Sequence, residues 1–107
     1  MEEKYYEQQD DVNILKTRAI LKTLPKFCKS YLHDITDYTS SRTRLAYAYD
    51  IRVFFEFMHE NNTYCNKMDI TDFPITILDQ ITKDDINEYL DYMNLYQKDG
   101  KKIKNHE

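Results

Sequence analysis

Hydrophobic and polar positions alternate with a helical period over most of this chain, most cleanly from Ser40 to Asn61. No Gly or Pro interrupts that stretch, and Leu45, Ala48, Ile51, Phe54 or Phe55, and Met58 recur at the steps of one helix face. On a helical wheel Tyr47, Ala48, Ile51, Phe54, Phe55 and Met58 fill a broad apolar face. A thinner apolar stripe, Ala46, Val53 and Phe57, runs down the other side. A helix that is apolar on two sides expects neighbours on both. This stretch is therefore predicted to be the central helix, with Ser40 as its N-cap.

The rest of the pattern is arranged around it. Residues 1–11 are polar and acidic and read as a frayed or disordered lead-in. Val12, Leu15 and Ala19, with Ile14 and Leu21 beside them, predict a first helix over residues 12–22. Pro25 suits a first helical position, and Phe27, Cys28, Tyr31, Leu32 and Ile35 predict a second amphipathic helix with Lys26 and Lys29 outward. Residues 36–39 form a turn short enough to fold two helices back on each other. After Asn61 the period breaks, and Pro74 excludes a long helix. A packed loop is expected there, with one helical turn near residues 75–78. Thr82 and Asp85 resemble a capping box, although Asp reaches less well than Glu, and Ile81 with Ile86 matches a hydrophobic staple. Ile86, Tyr89, Leu90 and Met93 continue that last helix, which ends near Gly100. The predicted layout is a lead-in over residues 1–11, an all-α domain over 12–96 and a lysine-rich linker or tail over 97–107.

Length and composition fit this picture. The chain has 107 residues, 41% hydrophobic and 32% charged, with one Gly and two Pro. That is enough for one modest globular domain and too little for two. Ten tyrosines supply most of the aromatic content. Each can bury a ring and keep its hydroxyl wet, at a core margin or on a binding surface. The acidic start lacks the charge and apolar run of a signal peptide. No stretch approaches a membrane span. A soluble cytoplasmic protein without membrane association is expected. Cys28 and Cys65 are too few for a disulfide framework and lack metal-ligand spacing with His33, His59 or His106. Cys28 falls on an apolar face, where a buried, inert thiol is expected. No cofactor and no metal ligand are expected.

Charge changes the picture more. The net value is −4, which by itself speaks against a nucleic-acid partner. Yet residues 12–52 hold eight basic residues against three acidic ones. Arg42 and Arg44 fall in the first turn of the central helix beside Thr39, Ser40, Ser41 and Thr43. Free N–H groups and the positive end of the helix dipole make such a turn a natural seat for an anion. Two readings stand beside each other there: solvated surface charge, and a phosphate-contacting turn. Tyr47 belongs to the core by its wheel position, and Arg52 and His59 to the flanks, where long side chains snorkel.

In order, an amphipathic helix (PKFCKSYLHDI), a Ser-x-x-Thr-x-x-x-Tyr-x-x-Asp-Ile-x-x-Phe helix and an Ile-Thr-x-x-Asp-Ile-x-x-Tyr-Leu helix resemble the N-terminal core-binding domain of tyrosine recombinases, the phage integrase family. Ser40, Thr43, Tyr47, Asp50, Ile51 and Phe54 fit the second pattern. Ile81, Thr82, Asp85, Ile86, Tyr89 and Leu90 fit the third. The resemblance runs from about Leu24 to Met93, and KDGKKIKNHE is similar to the segment before the family's fourth helix in transposon-type integrases. It implies a small orthogonal helical bundle, SAM-like, without its last helix, forming one jaw of a clamp on duplex DNA in partnership with other recombinase protomers. The catalytic jaw would lie elsewhere, so no catalytic residue is expected here and none of these tyrosines is a nucleophile. The DNA-facing residues implied are Thr39, Ser41, Arg42, Thr43 and Arg44, with Lys26, Lys29 and Lys83 as additions. The stripe Ala46, Val53 and Phe57 would be the seat of the absent helix and a surface for self-association. A helical protein–protein interaction module is the alternative, which the acidic ends, the tyrosines and the doubled apolar stripe serve equally well. An autonomous enzyme is least supported. No Gly-rich phosphate loop, metal-ligand cluster or nucleophile–base pair is visible at short spacing.

Overall fold

A computed structural model describes the backbone of residues 2–99 and the side chains of residues 7–95. Four α-helices make up the described chain, with no strand among those residues: α1 (Glu2–Leu21), α2 (Lys26–Asp34), α3 (Ser41–Asn61) and α4 (Lys83–Asp99). Short 3₁₀ turns at Thr36–Tyr38, Cys65–Lys67, Ile70–Asp72 and Ile75–Gln80 join them. The fold is an all-α helical bundle. The tail from residue 100 on, and the segment compared with the approach to a fourth helix, lie outside the described residues from that point.

Helix α3 is the centre, as its two-sided pattern predicts. Ala48, Phe55 and Met58 are buried on its broad face, and Ile51 and Phe54 are half-buried beside them. Tyr47, placed in the core by its wheel position, is exposed at 40%. Around Phe55 the rings meet edge to face: Phe27 of α2 lies 5.9 Å away and Phe73 of the loop 5.8 Å. Such pairs add to the area term. Ile20, Leu24, Cys28, Leu32, Cys65 and Ile77 complete the core.

The start of α3 is set locally. Ser40 is extended (φ −77°, ψ 162°), and its Oγ accepts from the Thr43 N–H at 3.1 Å. Helix α4 begins by the same logic. The Thr82 Oγ1 accepts from the Asp85 N–H at 3.1 Å while the Asp85 carboxylate accepts from the Thr82 N–H at 2.8 Å. The short Asp closes the box because Asn62, from the end of α3, holds its carboxylate at 2.8 Å. Asn62 is buried, and it also donates to the Gln80 carbonyl and accepts from the Tyr64 and Cys65 N–H groups. One amide thereby ends α3, shapes the loop and anchors α4.

Two expectations for α1 change. The first is the lead-in: residues 2–11 are the opening turns of α1. The second is the face that α1 buries. Val12, Leu15 and Ala19 point outward, with Leu15 62% exposed, while Asn13, Thr17 and Ile20 are buried. The cause is a polar seam against α3. Asn13 Nδ2 donates to Ser41 Oγ at 3.2 Å, and Ser41 Oγ donates to the Asp10 carboxylate at 2.6 Å. Thr17 donates to the Asn13 carbonyl at 2.8 Å, and Gln9 supports Asn13 at 3.3 Å. Small polar side chains that satisfy one another let two helices approach without leaving buried groups unpaired.

The second apolar stripe of α3 is also partly accounted for. Phe57 lies beneath Tyr89 and Tyr92 of α4, at 5.4 and 5.0 Å between ring centres, and Phe54 meets Tyr89 at 5.1 Å. Ala46 and Val53 remain exposed. The helix that covers part of this stripe is α4 itself.

Candidate nucleic-acid interface

The residues expected to face DNA do not form one ledge. Ser41 is only 6% exposed, and its hydroxyl is committed to Asp10 and Asn13. Asp10 thereby sets a carboxylate of the chain itself at the positive end of α3, the place an external anion would take. Arg44 is half-buried and folds back along the preceding turn. Its Nη1 donates to the carbonyls of Thr36 and Thr39 and to the Thr39 hydroxyl. Thr39 in turn donates to the Ile35 carbonyl at 2.7 Å, so this pair ties the 3₁₀ turn to α3. The Thr43 hydroxyl accepts from Ser40 at 3.0 Å. Ser41, Arg44 and Thr39 are therefore structural in their observed contacts. Arg42 is exposed and makes no ion pair among the described residues. Lys83, at the first position of α4, is exposed as well.

The positive surface lies instead at the corner between α1 and α2. Leu21 and Leu24 turn inward there, and Pro25 (φ −56°, ψ 148°) sets the chain into α2. This corner brings the last turn of α1 beside the first turn of α2. A shallow groove of about 440 Å³ opens between them, lined by Arg18, Lys22, Lys26 and Lys29 with Leu21, Leu24 and Thr71. No acidic residue lines it, and none of the four basic side chains forms an ion pair among the described residues. An adjoining cleft of about 370 Å³ shares Lys26 and Thr71 and is mostly apolar: Phe27, Phe73, Pro74 and Ile75, with Asp72. Of the eight expected residues, the structure brings together Lys26 and Lys29.

Arg18 and Lys22 were not singled out by the sequence pattern. Their signal was a basic residue at 18, 22, 26 and 29, steps of four, four and three across Leu24-Pro25. Read as one continued helix, that spacing is a stripe. With the corner at Pro25 it becomes two banks of one groove.

Other side chains are accounted for by packing. Arg52 lies over the Tyr49 ring at 5.2 Å and Lys67 over Tyr64 at 5.8 Å, both within cation–π range. His59 is half-buried near Phe73. Burial pushes the Cys28 thiol up to about 11. Cys65 is raised by burial and, beyond that, by the Asp85 charge. Both cysteines are free and buried. Among the described residues no group of three or more His, Cys, Asp or Glu could hold a metal ion, and no helix is long and apolar enough to cross a membrane.

These features define, among the described residues, a small all-α domain with a concentrated basic groove. Comparison with family models, curated proteins and solved structures finds no match to the chain.

Proposed function

We propose that this chain is a DNA-binding domain that grips the phosphate backbone of a duplex, of the core-binding type found in tyrosine recombinases. The observation that carries the binding reading is the groove at the α1–α2 corner, where Arg18, Lys22, Lys26 and Lys29 converge with no carboxylate among the lining residues. Basic side chains left without partners at one place attract a polyanion whatever the net charge of the whole. Such contacts position a protein on DNA without reading its sequence. Arg42 is exposed and available as a further phosphate contact. The recombinase part of the proposal is supported by the ordered helix patterns from Leu24 to Met93, and the chain would contribute grip rather than strand cleavage.

Fluorescence anisotropy with a labelled duplex across a salt series tests this. Each phosphate neutralised contributes about 0.9 to the slope of log K against log salt. Lys22→Ala with Lys26→Ala should weaken binding and lower the slope by about 2. Binding that is absent at low salt, or indifferent to both substitutions, would refute the reading.

A further inference from the structure

Helix α1 turns apolar side chains away from its own domain, and the physical question is what covers them. Gln8, Val12, Leu15 and Ala19 follow one another at steps of four, three and four along its outer face, and all are exposed. That spacing is the seam of a two-stranded coiled coil. The seam is flanked on one side by Asp11 and Arg18 and on the other by Gln9 and Lys16, all exposed.

We infer that α1 pairs with α1 of a second copy of this chain, antiparallel, about the Val12–Leu15 centre. Charge selects this occupant and this direction. Glu2, Glu3, Glu7, Asp10 and Asp11 precede Val12 against a single lysine, whereas Lys16, Arg18 and Lys22 follow it with no acid between them. A parallel pair sets acidic end against acidic end. An antiparallel pair sets each acidic end against a basic one. With Val12 opposite Leu15 of the second copy and Ala19 opposite Gln8, Asp11 of each copy lies opposite Arg18 of the other, two pairs on one flank related by the two-fold axis. The contact is self-complementary in shape and in charge. It shares Arg18 with the groove, where Lys22, Lys26 and Lys29 remain when Arg18 turns to the partner.

Three apolar residues per helix make a small interface, so the pair is weak, with half-association expected at about 100 µM. Sedimentation equilibrium on the full chain without DNA, at low salt and up to about 1 mM, reads it directly. Asp11→Arg and Arg18→Asp, each alone, set like charges together in both symmetry-related pairs and should weaken association at least about tenfold. An equimolar mixture of the two variants should recover it, because opposite charges then meet at both positions. Leu15→Asp should abolish it with no recovery in any mixture. All three positions are exposed, and unchanged far-UV helicity confirms that the variants are folded. A wild-type chain that stays monomeric throughout, variants that associate as well as wild type, or a mixture that does not recover would each overturn the inference.

Discussion

Replacing Asn62 with Ala should cost this domain more than any other polar substitution. The side chain is 4% exposed and makes four hydrogen bonds: to the Gln80 carbonyl at 3.1 Å, to the Asp85 carboxylate at 2.8 Å, and from the Tyr64 and Cys65 N–H groups at 2.8 and 2.9 Å. Alanine leaves the Cys65 N–H buried with no acceptor and removes the side-chain donor that joins the end of α3 to the cap of α4. A net hydrogen bond is worth about 1 kcal/mol and an orphaned buried group about 1–3, so the loss should be about 4 kcal/mol. Small domains have about 5–15 kcal/mol in total. The melting temperature should fall by about 20 °C at 4–8 °C per kcal/mol. Urea denaturation followed by circular dichroism measures this, and the double variant with Asp85→Ala separates the cap contact from the loop contacts. Asn62→Asp keeps the acceptor but sets two carboxylates together, so its stability should improve as pH falls and one of them protonates. A loss below about 1 kcal/mol for Asn62→Ala would mean that water replaces the amide and that the node does not hold α4.

Three further outcomes follow from the same contacts. Arg44→Ala should lower stability by about 1–2 kcal/mol by freeing the carbonyls of Thr36 and Thr39, whereas Arg42→Ala should stay within about 0.5 kcal/mol. Equal effects in thermal melts would contradict the assigned roles. The Thr82 backbone N–H, chiefly, holds the Asp85 carboxyl below its ordinary value of 3.8; burial opposes it less strongly, and the Thr82 and Asn62 side chains add smaller lowering contributions. A carboxyl depressed in the folded state adds stability above its unfolded pKa and loses it as pH falls through the folded one. Stability should therefore drop below about pH 4, and an acid titration of Asp85→Ala should show a shallower drop. Cys28 and Cys65, both buried with raised thiols, should resist a thiol reagent at pH 8 in the native state and react on unfolding. Fast native labelling would show that the core opens.

Much of the fold was legible because its signals are local. The Ser40 cap and the Thr82–Asp85 box each act over three residues, and both lie where the pattern places them. Ala48, Phe55 and Met58 follow from periodicity on a helix with abundant apolar positions. Helix α1 was misjudged because periodicity assumes that apolar residues turn inward. Its inward face is chosen by Asn13 and Asp10, whose partner Ser41 lies 28 and 31 positions away. No local rule reports a hydrogen bond of that span. The basic groove was half legible for a related reason. Lys26 and Lys29 stand out as outward lysines on α2, but Arg18 and Lys22 join them only once the corner at Pro25 is known. The first turn of α3 looked open to an anion because its sequence neighbours are hydroxyls and guanidinium groups. The carboxylate that takes the place, Asp10, comes from the middle of α1, 31 positions before Ser41.

That seam has a consequence for how the molecule presents itself. A purely greasy contact tolerates rolling, since one methyl substitutes well enough for another. Directional bonds that cross from Asn13 to Ser41 and from Ser41 to Asp10 do not, so α1 is clocked to a single rotation about its own axis. The outward bearing of Leu15 and of Arg18 is thus dictated from beneath, by the face that α1 turns inward.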